Sequence, residues 1–537
     1  MTIRDPMGDG IAAVWKVLDA SLPDAPRALE ADVVIVGSGA GGGIAAEILT
    51  AAGLEVILVE EGPLKSTRDF RMREAEAYPH LYQESAARKT RDKAINILQG
   101  RCVGGSTTVN WASSFRTPAS TLAFWRERFG LADYTPEALQ PWFEMVERRL
   151  NIGPWQRAPN ANNTLMRTGA TALGIPVGEI RRNVRDCWNL GYCGMGCPTG
   201  AKQSMLVTTI PSALGRGATL IHRLRAERLV SAGTRIDALE CVAMEADGVH
   251  PRPIRWTLRA RHFVLAAGAI GTPALLLRSK LPDPHGLTGA RTFLHPTVVA
   301  AGRFAKAVHG HAGAPQSLYS DHFLEQFPID GPLGFKLEVP PLHPVLFSTT
   351  LQGFADEHAA AMRDFTHTHA QLALLRDGFH PQSHGGRVAL RADGTSLLDY
   401  PLNEPIWEAA RRALLAMAEI QFAAGALSVQ AVHEQCRGYT NWPQAKEGIA
   451  RLPMKPLLTR VVSAHVMGGA AMGASEATSL TAPDGSLRGV DNVSVFDGSV
   501  FPTSIGANPQ LSVYAVAARN ASILTSRITG KPAPPLA

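Results

Sequence analysis

Two apolar runs near the start of the chain lack the alternation of hydrophobic and polar positions that marks a half-exposed strand. The first covers residues 32–36, and the second covers residues 56–59. A small-residue stretch at 44–49, followed by a stop at Gly53, lies between them and has a helical pattern. Such unbroken runs predict strands buried on both faces of a parallel sheet. The order strand, helix, strand therefore predicts a βαβ unit and an α/β fold.

The pattern predicts further elements along the chain. Thr135 followed by Pro136 opens a helix, with a capping hydroxyl and a proline at the first helical position. Residues 220–267 have the pattern of short strands and turns, and residues 406–425 have the apolar spacing of a helix. A weaker helical pattern covers residues 11–29 and is broken by two prolines.

These elements divide the chain into segments of two kinds. Elements typical of a nucleotide-binding domain predict one discontinuous domain made of residues 30–115, 215–300 and 455–537. The intervening segments predict a second domain that covers the cofactor and the substrate, made of residues 116–214 and 301–454. Residues 1–29 are expected to form an N-terminal helical extension.

The composition excludes several classes of protein. With 537 residues, 45% hydrophobic and 19% charged, the chain resembles an ordinary globular protein that can bury a large core. The net charge of +6 comes from scattered basic residues, which favours a solvated surface over a nucleic-acid interface. The best candidate for a membrane span, residues 263–277, is shorter than the roughly 20 apolar residues that a bilayer requires. We therefore expect no transmembrane segment and no nucleic-acid partner.

The N-terminus lacks the apolar region of a signal peptide. We therefore expect a cytoplasmic protein, and peripheral contact with a membrane surface is left open.

The turn after the first predicted strand is rich in glycine. Gly37, Gly39 and Gly42 form a G-x-G-x-x-G pattern. The first glycine allows the tight turn, the second lets backbone N–H groups approach a pyrophosphate, and the third packs helix against strand. Glu60 ends the next strand, where its carboxylate can accept hydrogen bonds from a ribose. The unit predicts a dinucleotide site, and these residues leave open whether the nucleotide is FAD or NAD.

Further segments resemble the glucose–methanol–choline (GMC) family of flavoprotein oxidoreductases. The motifs that carry the resemblance are residues 100–110, 268–273, 495–499 and 508–509. The resemblance runs from near residue 31 to the C-terminus and is poor over residues 300–450. It implies FAD as cofactor and a Rossmann-like FAD-binding domain. It also implies a discontinuous α+β substrate domain, whose antiparallel sheet is covered by helices.

The resemblance also implies which residues contact the flavin. The loop after residue 103 should lie along the flavin, and Asp497 and Gly498 should lie near its ribityl chain and pyrophosphate. The residues carried over from the loop are Gly104, Gly105, Thr108, Asn110 and Trp111. Some family members attach FAD covalently through a histidine just before the asparagine. Val109 stands at that position, so FAD is expected to bind non-covalently there.

Two residues near the C-terminus match the family's reaction centre. Oxidation of an alcohol removes a proton from oxygen and a hydride from carbon, so the protein must supply a base. His465 matches the catalytic histidine, and the pKa of imidazole suits a base near neutral pH. Asn508 matches its partner and is expected to hydrogen-bond and orient the substrate oxygen, because an amide cannot act as a base. The other histidines, including His367 and His369, are expected to be surface or packing residues.

Three of the six cysteines lie close together in sequence, at Cys187, Cys193 and Cys197. This segment resembles the cysteine-containing loop of long-chain alcohol oxidases. It equally resembles the three-cysteine motif of iron–sulfur-bearing FAD dehydrogenase subunits in the same family. Closely spaced thiolates suit iron–sulfur or zinc, although the set is one short of four cysteines. The alternative is a buried loop packed around small thiols, and the sequence leaves both open.

The substrate is expected to be a hydrophobic alcohol. Residues 109–118 and 193–204 resemble the long-chain alcohol oxidase branch of the family. Apolar side chains are frequent over residues 318–354, where they form either an access channel or the core of the second domain. The leading expectation is FAD-dependent oxidation of a long-chain primary alcohol to the aldehyde.

Two other functions remain open at this stage. One is an iron–sulfur-containing FAD dehydrogenase subunit that passes electrons to a cytochrome or quinone. The other is a flavin-binding redox sensor without turnover. No residue decides whether the electron acceptor is oxygen or a quinone or cytochrome.

Overall fold

The computed structural model describes residues 3–536, which form two large β-sheets and the helices that flank them. The first sheet is parallel on one side and antiparallel on the other. Its strands, in spatial order, are Val17–Asp19, Thr219–His222, Val56–Val59, Ala28–Val36, Pro251–Leu265, Arg235–Met244 and Leu224–Ala232. Val493–Val495 also pairs with Pro251–Leu265.

The predicted βαβ unit lies at the centre of this sheet and is confirmed. Strands Ala28–Val36 and Val56–Val59 pair in parallel, with Val34 opposite Ile57. Helix Ala40–Ala51 joins them. All four residues of the second strand are buried, as its unbroken apolar sequence predicts.

The second sheet is antiparallel except for one parallel pair at its edge. Its strands, in spatial order, are Ile95–Ile97, Val461–Ser463, Thr297–Arg303, Thr368–Leu375, Phe335–Glu338, Leu318–Ser320 and Gly178–Glu179. Ser428–Ala431 also pairs with Thr297–Arg303. One face of this sheet shares a hydrophobic core with helix Glu404–Ala423, through residues such as Val298 and Ala300.

The remaining elements are short strand pairs and helices. The strand pairs are Thr292–Leu294 with Val466–Gly468, Arg387–Leu390 with Ser396–Asp399, and Ile152–Gly153 with Arg182–Asn183. The other α-helices are Pro6–Ala12, Glu74–Leu81, Ser106–Val109, Ala119–Phe129, Pro136–Arg149, Ala161–Ala172, Thr209–Gly215, Gly268–Ser279, Pro344–Thr350, Asp356–Arg363, Trp442–Arg451 and Gln510–Thr529.

The helices predicted after Thr135 and near residue 406 are confirmed. Thr135 caps its helix by accepting a hydrogen bond from the Ala138 amide at 3.1 Å. The helical prediction for residues 11–29 is wrong for most of its length. The helix ends at Ala12. Val17–Asp19 instead pairs in parallel with Thr219–His222, because the edge of the sheet supplies partners for its backbone N–H and C=O groups and the helical pattern is weak.

The architecture confirms the predicted fold class, a nucleotide-binding α/β unit beside an antiparallel sheet covered by helices. Two strands of the second sheet, Ile95–Ile97 and Val461–Ser463, come from segments that the sequence assigns to the cofactor domain. The domain boundaries themselves stay a prediction. Across residues 3–536, every helix is too short or too polar to span a bilayer.

Candidate active site

A cavity of about 1120 Å³ is lined by residues from both halves of the molecule. Most of the residues predicted to bind cofactor or substrate contribute to its wall: Gly37, Gly39, Glu60, Gly105, Asn110, Trp111, His465, Asp497, Gly498 and Asn508. Others lie outside that wall in the described part of the chain: Gly42, Gly104, Thr108, Cys187, Cys193 and Cys197. One space therefore joins the glycine-rich turn to the C-terminal histidine and asparagine.

The glycines of the turn are required for different reasons. A Cβ on Gly41 would lie 1.5 Å from the Phe496 carbonyl oxygen, and one on Gly42 would lie 1.9 Å from the Gly37 carbonyl oxygen. These two positions are crowded by the protein's own backbone. A Cβ on Gly39 would meet nothing closer than 3.9 Å. The space beside Gly39 is therefore left open by the protein and belongs to the cavity.

Glu60 connects the turn to the next strand. Its carboxylate accepts hydrogen bonds from the Ser38 amide at 3.1 Å and from the Gly62 amide at 2.9 Å. The Ser38 hydroxyl also donates to this carboxylate and accepts from the Gly104 amide at 3.0 Å. Burial raises the pKa of Glu60, and these donors oppose the shift. The contacts hold the turn and the 104–110 loop together at one end of the cavity.

The loop from Gly104 to Trp111 forms another part of the wall. Lys202 fixes its backbone by donating to the Thr108 carbonyl at 2.6 Å and to the Asn110 carbonyl at 2.8 Å. The Asn110 side chain donates to Gln510 Oε1 at 2.6 Å. The indole N–H of Trp111 is buried and has no acceptor among the residues described. Trp111 therefore lines the cavity, while its N–H is buried away from the open space.

Asp497 ties the C-terminal segment to the first sheet. Its carboxylate accepts from the Gly268 amide at 2.8 Å and from the Thr272 hydroxyl at 2.6 Å, at the start of helix Gly268–Ser279. It also accepts from the Ser499 amide at 2.8 Å. Burial raises the pKa of Asp497, and these hydrogen bonds oppose the shift. The carboxylate positions Gly498 on the wall.

His465 lies against a second histidine, His295. His295 follows strand Thr292–Leu294 and His465 precedes the paired strand Val466–Gly468, in which Val466 lies opposite Leu294. The pairing therefore brings the rings together, and their Nδ1 atoms are 3.0 Å apart. Burial lowers the pKa of both histidines, and the nearby charge of Lys336 lowers them further. Both rings are therefore neutral at pH 7.

The hydrogen bonds of this pair define where its protons lie. The Gly506 amide can only donate, and it donates to His295 Nε2 at 3.1 Å. The proton of neutral His295 is therefore on Nδ1, from which it is donated to His465 Nδ1. The proton of neutral His465 is then on Nε2, the nitrogen away from His295.

Asn508 lies beside a buried ion pair. Lys336 Nζ donates to Asn508 Oδ1 at 3.1 Å, and Asn508 Nδ2 donates to Glu338 Oε2 at 3.3 Å. Lys336 and Glu338 contact each other at 3.2 Å and are almost fully buried. Burial lowers the pKa of Lys336 to about 8, although Glu338 opposes the shift.

The free face of the second sheet gives the cavity an apolar floor. Alternate residues of strand Thr297–Arg303 face it, with Val299 opposite Leu372 and Ala301 opposite Ala370. Thr297 to Ala301 spans about 13 Å along the strand. The apolar residues predicted over 318–354 divide between two roles. Leu342, Val345, Leu346, Phe347 and Leu351 line the cavity, whereas Leu318, Leu333 and Phe335 belong to the core behind the sheet.

The three clustered cysteines are free thiols outside the cavity wall. Cys193 accepts from Arg182 at 3.8 Å, and Cys197 accepts from the Lys202 amide at 3.5 Å. Burial raises the pKa of Cys187. Within residues 3–536, no group of three or more histidine, cysteine, aspartate or glutamate side chains is arranged to hold a metal ion. The iron–sulfur site is therefore without support here and stays a prediction.

Sequence reasoning missed His295, Lys336 and Glu338. His295 is among the histidines expected to be surface or packing residues, and only its pairing with His465 separates it from them. Lys336 and Glu338 lie in the poorly matched region. The strand Phe335–Glu338 alternates apolar and charged positions as a half-exposed strand does, so the sequence gives no signal that both charges are buried.

Comparisons with known proteins agree with this arrangement. Residues 78–297 and 381–517 match the N- and C-terminal parts of the family described as GMC oxidoreductase. An uncharacterised GMC-type oxidoreductase, y4nJ, of Sinorhizobium fredii is 30% identical over 504 residues, 93% of this chain and 95% of that protein. The long-chain-alcohol oxidase FAO4A of Arabidopsis thaliana is 29% identical over 521 residues, 93% of this chain and 69% of that protein.

The fold is also similar to that of solved structures. Pyridoxine 4-oxidase from Mesorbium loti superposes with a TM-score of 0.68 at 20% identity, covering 91% of this chain and 98% of that one. At this identity the likeness concerns the fold alone. The family models match both halves of the chain, and a relative is 30% identical along nearly its whole length. The chain therefore belongs to the GMC family of FAD-dependent oxidoreductases.

Proposed function

We propose that this chain oxidises a hydrophobic primary alcohol to the aldehyde, with His465 as the base. The observation that carries the proposal is the single cavity that joins the glycine-rich turn, the His465–Asn508 pair and the apolar floor. A cofactor, a proton acceptor and an alkyl chain each have a matching surface in one space. The similarity to long-chain-alcohol oxidases supports the same substrate class.

The residues at the glycine end fit FAD. The open space beside Gly39 has no function in the packing of the protein itself, whereas a pyrophosphate needs such a close approach to backbone. Trp111 lines the same cavity. Gly37, Gly39, Glu60, Gly105, Asn110, Trp111, Asp497 and Gly498 would hold the cofactor. When bound, FAD supplies the acceptor for the hydride that leaves the carbinol carbon.

His465 contributes the proton chemistry. It lines the cavity and is neutral at pH 7, so it can take up a proton. In the tautomer described above, Nε2 carries a proton and donates to the substrate oxygen. Acceptance of the hydroxyl proton requires the other tautomer, in which His465 donates from Nδ1 to His295 and Nε2 is free. That shift moves the His295 proton to Nε2, where it faces the Gly506 amide. Buried donors are then left without an acceptor, which costs about 1–3 kcal/mol each, so the basic tautomer is a minor form that the substrate must draw on.

Asn508 and the apolar floor orient the substrate. The amide of Asn508 presents a donor to the substrate oxygen beside His465. The alkyl chain lies along Val299, Ala301 and Leu372, away from the histidines. Burial of each methylene group contributes about 0.8 kcal/mol, so a long chain binds more tightly than a short one.

An anaerobic panel of straight-chain primary alcohols tests the proposal. Purified protein with bound FAD should lose its flavin absorbance on addition of a long-chain alcohol and respond less to ethanol or to a sugar. A flavin that no alcohol reduces would instead support the redox sensor without turnover.

The electron acceptor is tested separately. Hydrogen peroxide formed in air indicates an oxidase, whereas reoxidation by a quinone or cytochrome alone indicates a dehydrogenase. Iron and acid-labile sulfide assays on anaerobically purified protein test the iron–sulfur alternative at Cys187, Cys193 and Cys197. Absence of both elements would eliminate it.

A further inference from the structure

A buried ion pair lies next to Asn508 and has no part in the chemistry assigned to His465. Lys336 and Glu338 are two residues apart on strand Phe335–Glu338, so their side chains leave the same face of the strand. Their exposed fractions are 2% and 0%, and their charged atoms are 3.2 Å apart. Lys336 Nζ also lies 2.8 Å from the centroid of the Phe115 ring.

The two charges contact opposite ends of one amide. Lys336 donates to Asn508 Oδ1 at 3.1 Å, and Glu338 Oε2 accepts from Asn508 Nδ2 at 3.3 Å. Rotation of the amide by 180° would place its NH₂ against the ammonium and its oxygen against the carboxylate. Both contacts would then be repulsive. The ion pair therefore allows one orientation of this amide.

Stability alone does not account for these charges. Removing two ions from water costs several kcal/mol each, and replacing such a pair with apolar residues is often neutral or stabilising. The rings of Phe115 and Tyr319 pack against Lys336, and the polar contacts of the pair to other residues are to the amides of Asn508 and Gln316. The charges therefore point to a role in the site that they contact.

We propose that Lys336 and Glu338 are positioning residues that act through Asn508. They hold its amide so that one N–H of Nδ2 is taken by Glu338 and the other is presented to the substrate oxygen. The inference rests on the proposed alcohol oxidation, in which that oxygen lies beside His465. Lys336 and Glu338 need not touch the substrate, and neither contributes to the cavity wall in the part of the chain described.

Lys336 has a second, separable effect on the histidines. The titratable groups that act on His465 are His295, which is hydrogen-bonded to it, and Lys336, whose charge reaches it from strand Phe335–Glu338. The positive charge of Lys336 lowers the pKa of both His295 and His465. Loss of that charge should raise the pKa that limits kcat/KM on the acidic side, whether or not Asn508 is present.

The test compares Lys336→Met and Lys336→Gln, each in the wild-type and Asn508→Ala backgrounds. Methionine removes both the donor and the charge, whereas glutamine keeps a neutral N–H donor. Lys336→Met should lower kcat/KM for a primary alcohol by about 10- to 100-fold, the size expected for a hydrogen bond to a charged group. In the Asn508→Ala background the same change should cost less than twofold. Lys336→Gln should recover most of the loss but keep the shifted pH profile.

A readout without turnover accompanies the kinetics. A tertiary alcohol of matched length has no carbinol hydrogen, and its dissociation constant is measured from the change in flavin absorbance. Lys336→Met should weaken this binding in the wild-type background and leave it unchanged in Asn508→Ala. Equal losses in both backgrounds, in rate and in binding, would overturn the inference. Protein that neither oxidises nor binds any alcohol would overturn the proposed function and this inference with it.

Folding is controlled by FAD content and thermal midpoint. Should Lys336→Met fail to fold because Glu338 is left unpaired, the double variant Lys336→Met/Glu338→Met removes both charges together. Its loss of kcat/KM should again disappear in the Asn508→Ala background. An undiminished loss there would contradict the positioning role.

Discussion

The two ends of the cavity are built by different means. At the first, residues 37–42 form one continuous segment, a turn and the start of helix Ala40–Ala51, in which backbone groups and missing side chains shape the space. At the second, side chains from segments that are distant in sequence meet only in the folded chain: His295, Lys336, Glu338, His465 and Asn508. Local sequence therefore describes the first end well and the second end only in part. The comparison also teaches that the two ends should fail in different ways when they are altered.

The glycine turn should show the largest effects. Gly41→Ala places a methyl group against the Phe496 carbonyl and should lower the free energy of unfolding by about 3 kcal/mol. Gly39→Ala meets open space, so the folded protein should keep its stability within about 0.5 kcal/mol. Its methyl group occupies the space proposed for the pyrophosphate, however, so FAD affinity should fall at least roughly tenfold, the effect of losing about 1.4 kcal/mol.

Chemical denaturation and FAD titration of the two variants separate stability from cofactor binding. Gly39→Ala that binds FAD as tightly as the wild type would remove the argument for a pyrophosphate at this point. Equal stability of the two variants would show that the turn relaxes around Gly41.

The next effect concerns the histidine pair. In the basic tautomer, and once His465 has taken up the substrate proton, His295 Nδ1 accepts from His465 Nδ1. His295→Phe removes that acceptor, so kcat/KM should fall about tenfold, the value of one buried hydrogen bond. His369→Phe is the matched control, because His369 is also fully buried and bonds Asn162 through Nδ1, in a contact separate from the His465 pair. It should affect stability and leave kcat/KM unchanged. Equal losses from both variants would show that His295 only fills space.

A smaller effect is expected on chain-length preference. Each added methylene should raise kcat/KM about fourfold, which corresponds to about 0.8 kcal/mol, until the apolar floor is filled. Leu372→Asn puts a polar group on that floor and should flatten the dependence, whereas Leu372→Met should preserve it. An unchanged slope in Leu372→Asn would place the alkyl chain elsewhere.

The smallest change should appear in the pH dependence. His465 must be unprotonated to act as a base, and burial and Lys336 lower its pKa. The basic form therefore dominates at neutral pH, and kcat/KM should stay constant as pH falls through 6.5, the ordinary pKa of histidine, and decline only toward a pKa of about 3. A rise in kcat/KM on acidification through this range would contradict a base with a lowered pKa.

The features that could be predicted from the sequence divide in the same way as the two ends of the cavity. The βαβ unit was predictable because unbroken apolar strands and a glycine turn are local patterns. His465 and Asn508 were accessible through the family resemblance, and the structure places both on one cavity wall.

The remainder depends on contacts between distant segments. The meeting of His295 and His465 requires the register that sets Leu294 opposite Val466. The role inferred for Lys336 requires its contact with Asn508, 172 positions away. Strand Val17–Asp19 was missed for the same reason, because its partner Thr219–His222 lies some 200 residues later in the chain.

The most direct test of the central claim is anaerobic flavin reduction by a saturating straight-chain primary alcohol, in the wild type and in His465→Ala. The wild type should lose its flavin absorbance in a single turnover. His465→Ala should retain FAD and react about 10²- to 10⁴-fold more slowly, because the base is gone while the cofactor site is intact. Reduction of His465→Ala at the wild-type rate would contradict the account.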